Sequence, residues 1–408
     1  MLQHPCGYHF DKCDSCRPAG YDASTLAMED LALRLPPLML AIALSIGFTG
    51  VQAAPAEVAT LDRALWPEAL TTPALFDVAS RAQILSFARE LLASEALDET
   101  TLAARLELRQ VNMTAINTLR EQWWQRLWVG YDHAQQSCEE DASFCYAIDS
   151  LEDLKTQAGQ FVVAADSFYA GWTEPGRAFS RTYLDEQLHR AALLPDISSE
   201  VATFSKVEHH GDSLNDRVFL LTFDSGPSPA EGNTDWMADF LRRQKLSATF
   251  FVLGNRVEQR LQAGAVDGLD GVYREQCVGV QGWQYRSHSQ WLDWQNSVLR
   301  SVALVQSQLP ETYVPQFRPP YGQRRADSGA FFEAQQLDVV LWDIDAQDSN
   351  TQLSAEDSRD RVLSLMLLWR KGIIQFHDDQ LKARTAVPAL LAATAQSGIA
   401  WEDCRDYP

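Results

Sequence analysis

Residues 218–227 read VFLLTFDSGP, six strand-forming residues in an unbroken run followed by an aspartate and a Ser-Gly-Pro breaker. A run that short, apolar on both faces and closed by Gly and Pro is the mark of a strand buried on both sides, as in a parallel sheet. Outward from it the same grammar repeats. Asp235–Gln244 has helical spacing and ATFFVL (248–253) is a second buried strand; then come a helix at 293–308, strands at 314–317 and 337–342, a helix at 355–369 and a strand at 372–376. Short apolar strands alternating with helices predict a parallel α/β arrangement. The C-terminal half is too short for eight full strand–helix units, so the expectation is a distorted or incomplete (β/α) barrel.

Upstream, from about 60 to 195, the period is helical instead. Leu102, Leu106, Met113, Ile116, Trp123 and Leu127 recur at near-heptad spacing, as do Ile84, Leu85, Ala88, Leu91 and Leu92, and again Leu151, Leu154, Ala158, Phe161, Ala165 and Phe168. These stripes predict a small all-α domain preceding the barrel. Trp123, Trp124 and Trp128 sit on it at helical spacing, which suits core packing better than an exposed surface. The division is therefore 1–53 leader and signal peptide, 54–196 helical domain, 197–212 linker and 213–408 barrel.

The net charge of -21 is spread along the chain with no basic face, which argues against a nucleic-acid partner. Arg34 followed by the apolar run Leu35–Val51, ending in Val51-Gln52-Ala53, reads as a secretory signal peptide with its cleavage site. Secretion or periplasmic export follows, with no stable membrane span after cleavage; retention of the run would leave a membrane anchor. Cleavage leaves Cys138, Cys145, Cys277 and Cys404 in a compartment that permits disulfides. Cys138 and Cys145 flank a short polar loop and are the favoured pair; sequence does not certify a bond between Cys277 and Cys404.

Polar residues cluster where strands end, and in such a fold those ends converge on one face. Asp224 ends the first strand, Arg318 follows VPQF, Asp343 and Asp345 follow LDVVLW, and His377 and Asp378 end GIIQF. TFDSGP (222–227), HSQWL (288–292), FRPPYG (317–322), LWDIDAQD (341–348) and GIIQFHD (372–378) together resemble the ordered motifs of the polysaccharide deacetylase family, the NodB-homology or carbohydrate esterase family 4 domains. The resemblance implies a hydrolase that removes acetyl groups from an N-acetylated polysaccharide with a metal-bound water. It implies Asp224 as base, Arg318 as its tether, the backbone N–H of Tyr321 in an oxyanion hole, His377 as the acid with a carboxylate partner from the fourth motif, Asp345 in preference to Asp348, and Phe376 with Pro320 lining the acetyl pocket.

The same resemblance implies Zn or another divalent metal, held by a second Asp and by two His spaced as HxxxH. Here Ser225 stands at the Asp position, and aligning HSQWL with HxxxH leaves His288 as the remaining ligand and Leu292 at a lost one. A hydroxyl and an alkyl group are poor exchanges for carboxylate and imidazole, so the metal is expected to be weakly held or absent. Two functions follow as expectations: a carbohydrate N-deacetylase, or a catalytically inactive relative that binds glycan or serves as a scaffold.

Overall fold

The computed structural model describes residues 57–195, 203–264 and 268–407. The leader and the apolar run at 35–51 lie outside these residues. Among the described residues no helix is long and apolar enough to cross a membrane.

The N-terminal region is built on α1 (Pro73–Glu95), which starts where the Thr72 side chain caps the Leu75 N–H and Pro73 takes a position needing no hydrogen bond. Its residues are buried almost all round, the pattern of a central helix. Around it pack α3 (Met113–Ala134), α4 (Leu151–Gln160) and α5 (Ala170–Leu193), with α2 (Glu99–Arg105) alongside. The stripe from Leu102 to Leu127 is not one helix. Asn112 accepts from the Ala115 N–H and starts a new helix there, so the chain turns between Arg105 and Met113. The stripe from Leu151 also stops early: α4 ends at Gln160, and Phe168 stands exposed outside it. Trp123 and Trp124 are core residues. The Cys138–Cys145 disulfide is formed.

The C-terminal region is the expected α/β barrel, and it draws its first strand from the aperiodic stretch before 213. β1 (Glu208–His209), β2 (Val218–Asp224), β3 (Thr249–Val252), β4 (Cys277–Val280), β5 (Tyr313–Phe317), β6 (Asp338–Val340), β7 (Ile344–Asp345), β8 (Gly372–His377) and β9 (Ala400–Trp401) alternate with α6 (Asn233–Arg243), α7 (Gly254–Ala263), α8 (Leu269–Tyr273), α9 (Trp294–Gln308), α10 (Gly329–Gln335), α11 (Ala355–Trp369) and α12 (Ala383–Thr394). The strand order is β1-β6-β5-β4-β3-β2-β8-β7, with β9 beside the start of β2 and every ladder parallel. The irregular run 338–345 closes the gap between the two edges. Leu341 N–H donates to His209 O at 2.9 Å and Asp343 N–H to Ile373 O at 3.0 Å, so one segment touches β1 and β8 in turn. Cys277 and Cys404 form a disulfide that ties β4 to the C-terminal segment.

Side chains alternate along a strand, and that alternation positions the site. Thr222 and Asp224 on β2 point into the barrel, where both meet Arg318, while Phe223 between them packs outward against Phe250 and Phe376. On β8 Gln375 points inward and Phe376 outward, by the same rule.

The helical region meets the barrel chiefly through α11, which touches α1 and α3. At that seam Arg361 is fully buried and donates from Nη1 and Nη2 to Glu186 at 2.9 and 2.7 Å, from Nη1 to Ala59 O at 2.9 Å, and from Nε to Asp345 O at 3.0 Å. One guanidinium thus joins α5, the N-terminal segment and the loop after β7. Glu186→Ala leaves that cation buried without its counter-charge and is expected to destabilise the fold by about 3–5 kcal/mol in urea unfolding, with Glu186→Gln costing less.

Candidate active site

Asp224, at the end of β2, is 1% exposed and accepts from three side chains carried by three other strand ends. Arg318 Nη1 donates to Oδ1 at 2.9 Å; Gln281 Nε2 and Gln375 Nε2 donate to Oδ2 at 2.9 and 2.6 Å. Arg318 is itself locked in place, with Nη1 on Thr222 Oγ1 at 2.6 Å, Nε on Val340 O and Nη2 on Leu341 O at 3.0 Å each, and its guanidinium 4.1 Å from the Phe251 ring centroid. Ser225, next along, donates its hydroxyl to Gln281 Oε1 at 3.2 Å. The Gln281 amide is therefore used at both ends, accepting from Ser225 and donating to Asp224.

Gln281 and Gln375 were not singled out from sequence. A signal for Gln281 existed in the spacing. Gln281 directly follows β4, and Tyr285 lies four residues on, the HxxxH interval one register upstream of HSQWL. Partial burial, then the charges of Asp224, Tyr321, Asp345 and Asp379, hold the Tyr285 phenol well above its usual range. Beside Asp224 the strand ends thus place Ser225 and Gln281, with Tyr285 in the loop four residues past Gln281.

His288, read from sequence as the remaining metal ligand, is not available as one. Its Nδ1 lies 2.8 Å from Arg286 O, and a carbonyl only accepts, so Nδ1 carries the proton and Nε2 accepts from Ser297 Oγ at 3.1 Å. No lone pair is left. The ring is packed between Trp291 and Phe317 and beneath Gly282, where a Cβ would come within 2.7 Å of it; burial pushes the imidazole down to about 4. Leu292 is 98% exposed and is no part of the site.

The acid end is better preserved, with one change of partner. His377 Nδ1 lies 2.8 Å from Asp348 Oδ1, and the other Asp348 oxygen accepts the His377 backbone N–H at 2.9 Å. Asp345, the expected partner, turns instead to Gln347, accepting its N–H at 2.8 Å and its side-chain amide at 2.5 Å. Asp345 closes β7 and its backbone pairs with Gln375 of β8, whereas Asp348, in the turn that follows, is the carboxylate that reaches His377. Burial works against charge on His377, but the Asp348 carboxylate, by charge and hydrogen bond, with Asp224 and Asp345 behind it, lifts the imidazole to about 10. Phe376 does not line a pocket; it belongs to the core on the outer face of the sheet. Pro320 is buried in the turn after Arg318, and Tyr321 follows it in a left-handed conformation, φ 60° and ψ 12°, with its side chain 54% exposed. Asp378 is closed in behind Gly226, and burial pushes its carboxyl up to about 7.

Residues 211–340 match the family model described as polysaccharide deacetylase. The chain carries a polysaccharide deacetylase domain. A peptidoglycan-N-acetylmuramic acid deacetylase, PdaC, of Bacillus subtilis is 31% identical over 148 residues, 33% of this chain and 27% of that protein. A peptidoglycan-N-acetylglucosamine deacetylase, PgdA, of Listeria monocytogenes is 31% identical over 172 residues, 38% of this chain and 33% of that protein. A solved CE4 family pseudoenzyme from Bacillus anthracis is 17% identical with a TM-score of 0.40, covering 47% of this chain and 65% of that one. The matches span between 19% and 33% of the length of the first curated relatives.

Members of this family are metal-dependent as a rule, and the donors present in this deacetylase domain do not fit a divalent cation. Zinc sites are built from at least three thiolate, imidazole or carboxylate donors. Ser225 and Gln281 offer a neutral hydroxyl and a neutral amide already bonded to each other, Tyr285 offers a phenol held protonated, and both Asp224 oxygens already accept.

The His377–Asp348 pair has a direct readout. An imidazole raised by a carboxylate stabilises the folded state fully below its ordinary value near 6.5, and this contribution is lost as the pH rises through about 10. In an NMR titration the His377 ring is expected to stay protonated past pH 8, and Asp348→Asn to bring its midpoint to roughly 7 or lower.

Proposed function

We propose that the protein is an exported, metal-free relative of the polysaccharide deacetylases, whose cleft binds an N-acetylated glycan without removing its acetyl groups. The observation that carries this reading is the Gln281 side chain. It bridges Ser225 and Asp224 with an uncharged amide at the strand ends where the family's chemistry needs a cation. Amide hydrolysis requires an activated water, a clamp on the oxyanion and an acid for the amine. His377 with Asp348 supports the last of these. The first has no support: Asp224 is 1% exposed and accepts from Arg318, Gln281 and Gln375, so it serves as an acceptor that braces the barrel more than as a base. Loss of a Lewis acid removes several kcal/mol of transition-state stabilisation, on the order of 10³-fold or more in rate.

Export rests on the Leu35–Val51 run with its Val51-Gln52-Ala53 end. The glycan class rests on the retained frame and on the substrates named for the similar proteins, which are peptidoglycan sugars. The retained His377–Asp348 acid favours a second reading, residual N-deacetylase activity, and acetate measurement separates the two. With N-acetylglucosamine oligomers the protein is expected to bind at micromolar to millimolar concentration and to release no acetate above a heat-treated control, with or without added zinc or cobalt. Acetate release with turnover would establish the enzyme instead.

The metal argument has its own test, in gain of function. Ser225→Asp combined with Gln281→His and Tyr285→His is expected to take up about one zinc per chain in elemental analysis, because it supplies one carboxylate and two imidazoles at the HxxxH interval following β4. Ser225→Asp combined with Leu292→His is expected to stay metal-poor, since residue 292 points into solvent. Stoichiometric zinc in the unmodified protein would overturn the proposal.

A further inference from the structure

One face of α3 borders a cavity. Leu119, Gln122, Trp123, Arg126, Val129 and His133 recur at intervals of three and four, the spacing of a single helix face, and all of them line a space of about 550 Å³. The rest of the wall belongs to the barrel, with Asp212 and Asp216 before β2, Asp343 after β6, and Trp369, Arg370 and Lys371 at the junction of α11 and β8. Lys371 precedes β8 and His377 ends it, so about 20 Å of strand separates this cavity from the candidate active site. Because α3 lies outside residues 211–340, the deacetylase domain alone does not form it. Its size is that of a small-molecule site.

Leu119, Trp123, Val129 and Trp369 give the wall its apolar part, and the charges on it divide into spent and open. Asp216 accepts from Arg370 Nε and Nη2 at 2.8 and 2.7 Å. The Asp343 carboxylate meets Arg126 Nη2 at 3.1 Å through one oxygen and accepts the Gly211 and Ile373 N–H groups at 2.9 and 2.8 Å through the other. Lys371 is open: two of its three ammonium donors go to the carbonyls of Asp212 and Leu214 at 2.6 and 2.9 Å, and it has no carboxylate partner among the described residues. The Asp212 side chain likewise forms no ion pair there, so an unpaired anion and an unpaired cation stand side by side against indole and aliphatic surface. With the histidines neutral, Arg126, Arg370 and Lys371 balance Asp212, Asp216 and Asp343, which suits neither a phosphate dianion nor a simple cation. A molecule carrying both charges and an apolar group satisfies all of these features together. We propose that this cavity binds a small zwitterion with an apolar side chain, a free α-amino acid or a dipeptide, its carboxylate at Lys371, its ammonium at Asp212 and its side chain against Trp123 and Val129. The inference does not depend on the glycan reading above.

The test is calorimetric titration of the full chain with L-phenylalanine and with phenylalanyl-phenylalanine, at least one of which is expected to bind at a single site with a Kd of about 1 mM or tighter. Two analogues need no variant: N-acetylphenylalanine lacks the ammonium and phenylalanine amide lacks the carboxylate, and each is expected to bind roughly tenfold more weakly than phenylalanine. Asp212→Asn and Lys371→Met are expected to weaken the unmodified ligand by a similar factor. Val129→Trp adds bulk from a side chain already 43% exposed, and is expected to abolish binding while its thermal melt and its glycan binding stay those of the unmodified protein. No binding of either ligand at millimolar concentration would overturn the proposal. Equal binding of N-acetylphenylalanine would overturn the zwitterion, and undiminished binding to a folded Val129→Trp variant would overturn the cavity as the site.

Discussion

A buried carboxylate with three donors holds this barrel's mouth together. Asp224 on β2 accepts from Arg318 after β5, Gln281 after β4 and Gln375 on β8, so one side chain cross-links four of the barrel's strand ends. An ionised carboxylate away from water is costly unless it is paired and its lone pairs are used. Both conditions are met here without a metal. Arg318 supplies the charge and the two glutamines supply the remaining hydrogen bonds. Arg318 in turn spends its other donors on Val340 and Leu341, which lie in the irregular segment that closes the barrel. Removing either member of the pair would expose the other, so the pair is retained for the fold whatever becomes of the chemistry.

That dual role means that the presence of these residues does not by itself report activity. Asp224, Arg318 and His377 survive in the motif positions, and their survival reads as catalysis. The structure gives each a structural occupation as well: Asp224 and Arg318 brace the barrel mouth, and His377 with Asp348 pins β8 to the loop after β7. Retention of these residues is thus weak testimony. The residues with no structural reason to be carboxylate or imidazole are more informative, and those are Ser225, Gln281 and Tyr285.

The strands at 218–223, 248–253, 314–317, 337–342 and 372–376 and their parallel arrangement were legible because buried parallel strands are short, apolar and sharply bounded, as VFLLTF and ATFFVL are, whereas β4, β7 and β9 were not read. β1 was not, because a two-residue edge strand has no period to detect. In the helical region, stripes matched in period but not in continuity: Asn112 interrupts one, and the cap outweighs the spacing of Leu106 and Met113. In the site, the strand-end residues Asp224, Arg318 and His377 fall on one face, while HSQWL lies on a loop with His288 turned to Arg286 and Ser297. HSQWL offered a histidine and attracted the alignment, yet the residue leaving β4 is Gln281, and only the strand register decides between them. Asp345 and Asp348 posed the same difficulty, a turn whose path sets which carboxylate meets the His377 ring.

The helical region enters the same argument through Arg361. Its guanidinium ties Glu186 of α5 to the backbone carbonyl of Asp345, three residues before Asp348 in the loop that carries the His377 partner. A loop of that length between a two-residue strand and α11 has little hydrophobic surface of its own to fix it. Anchoring its carbonyl to a buried ion pair fixes its path from outside the barrel. Arg361 of α11 therefore does for the fourth motif what Arg318 does for the first, each a buried cation whose spare donors hold a strand-end carbonyl, and the N-terminal helices contribute its counter-charge through Glu186 of α5. A site held by two buried arginines and a bridging amide therefore has its buried polar groups paired by the chain's own side chains.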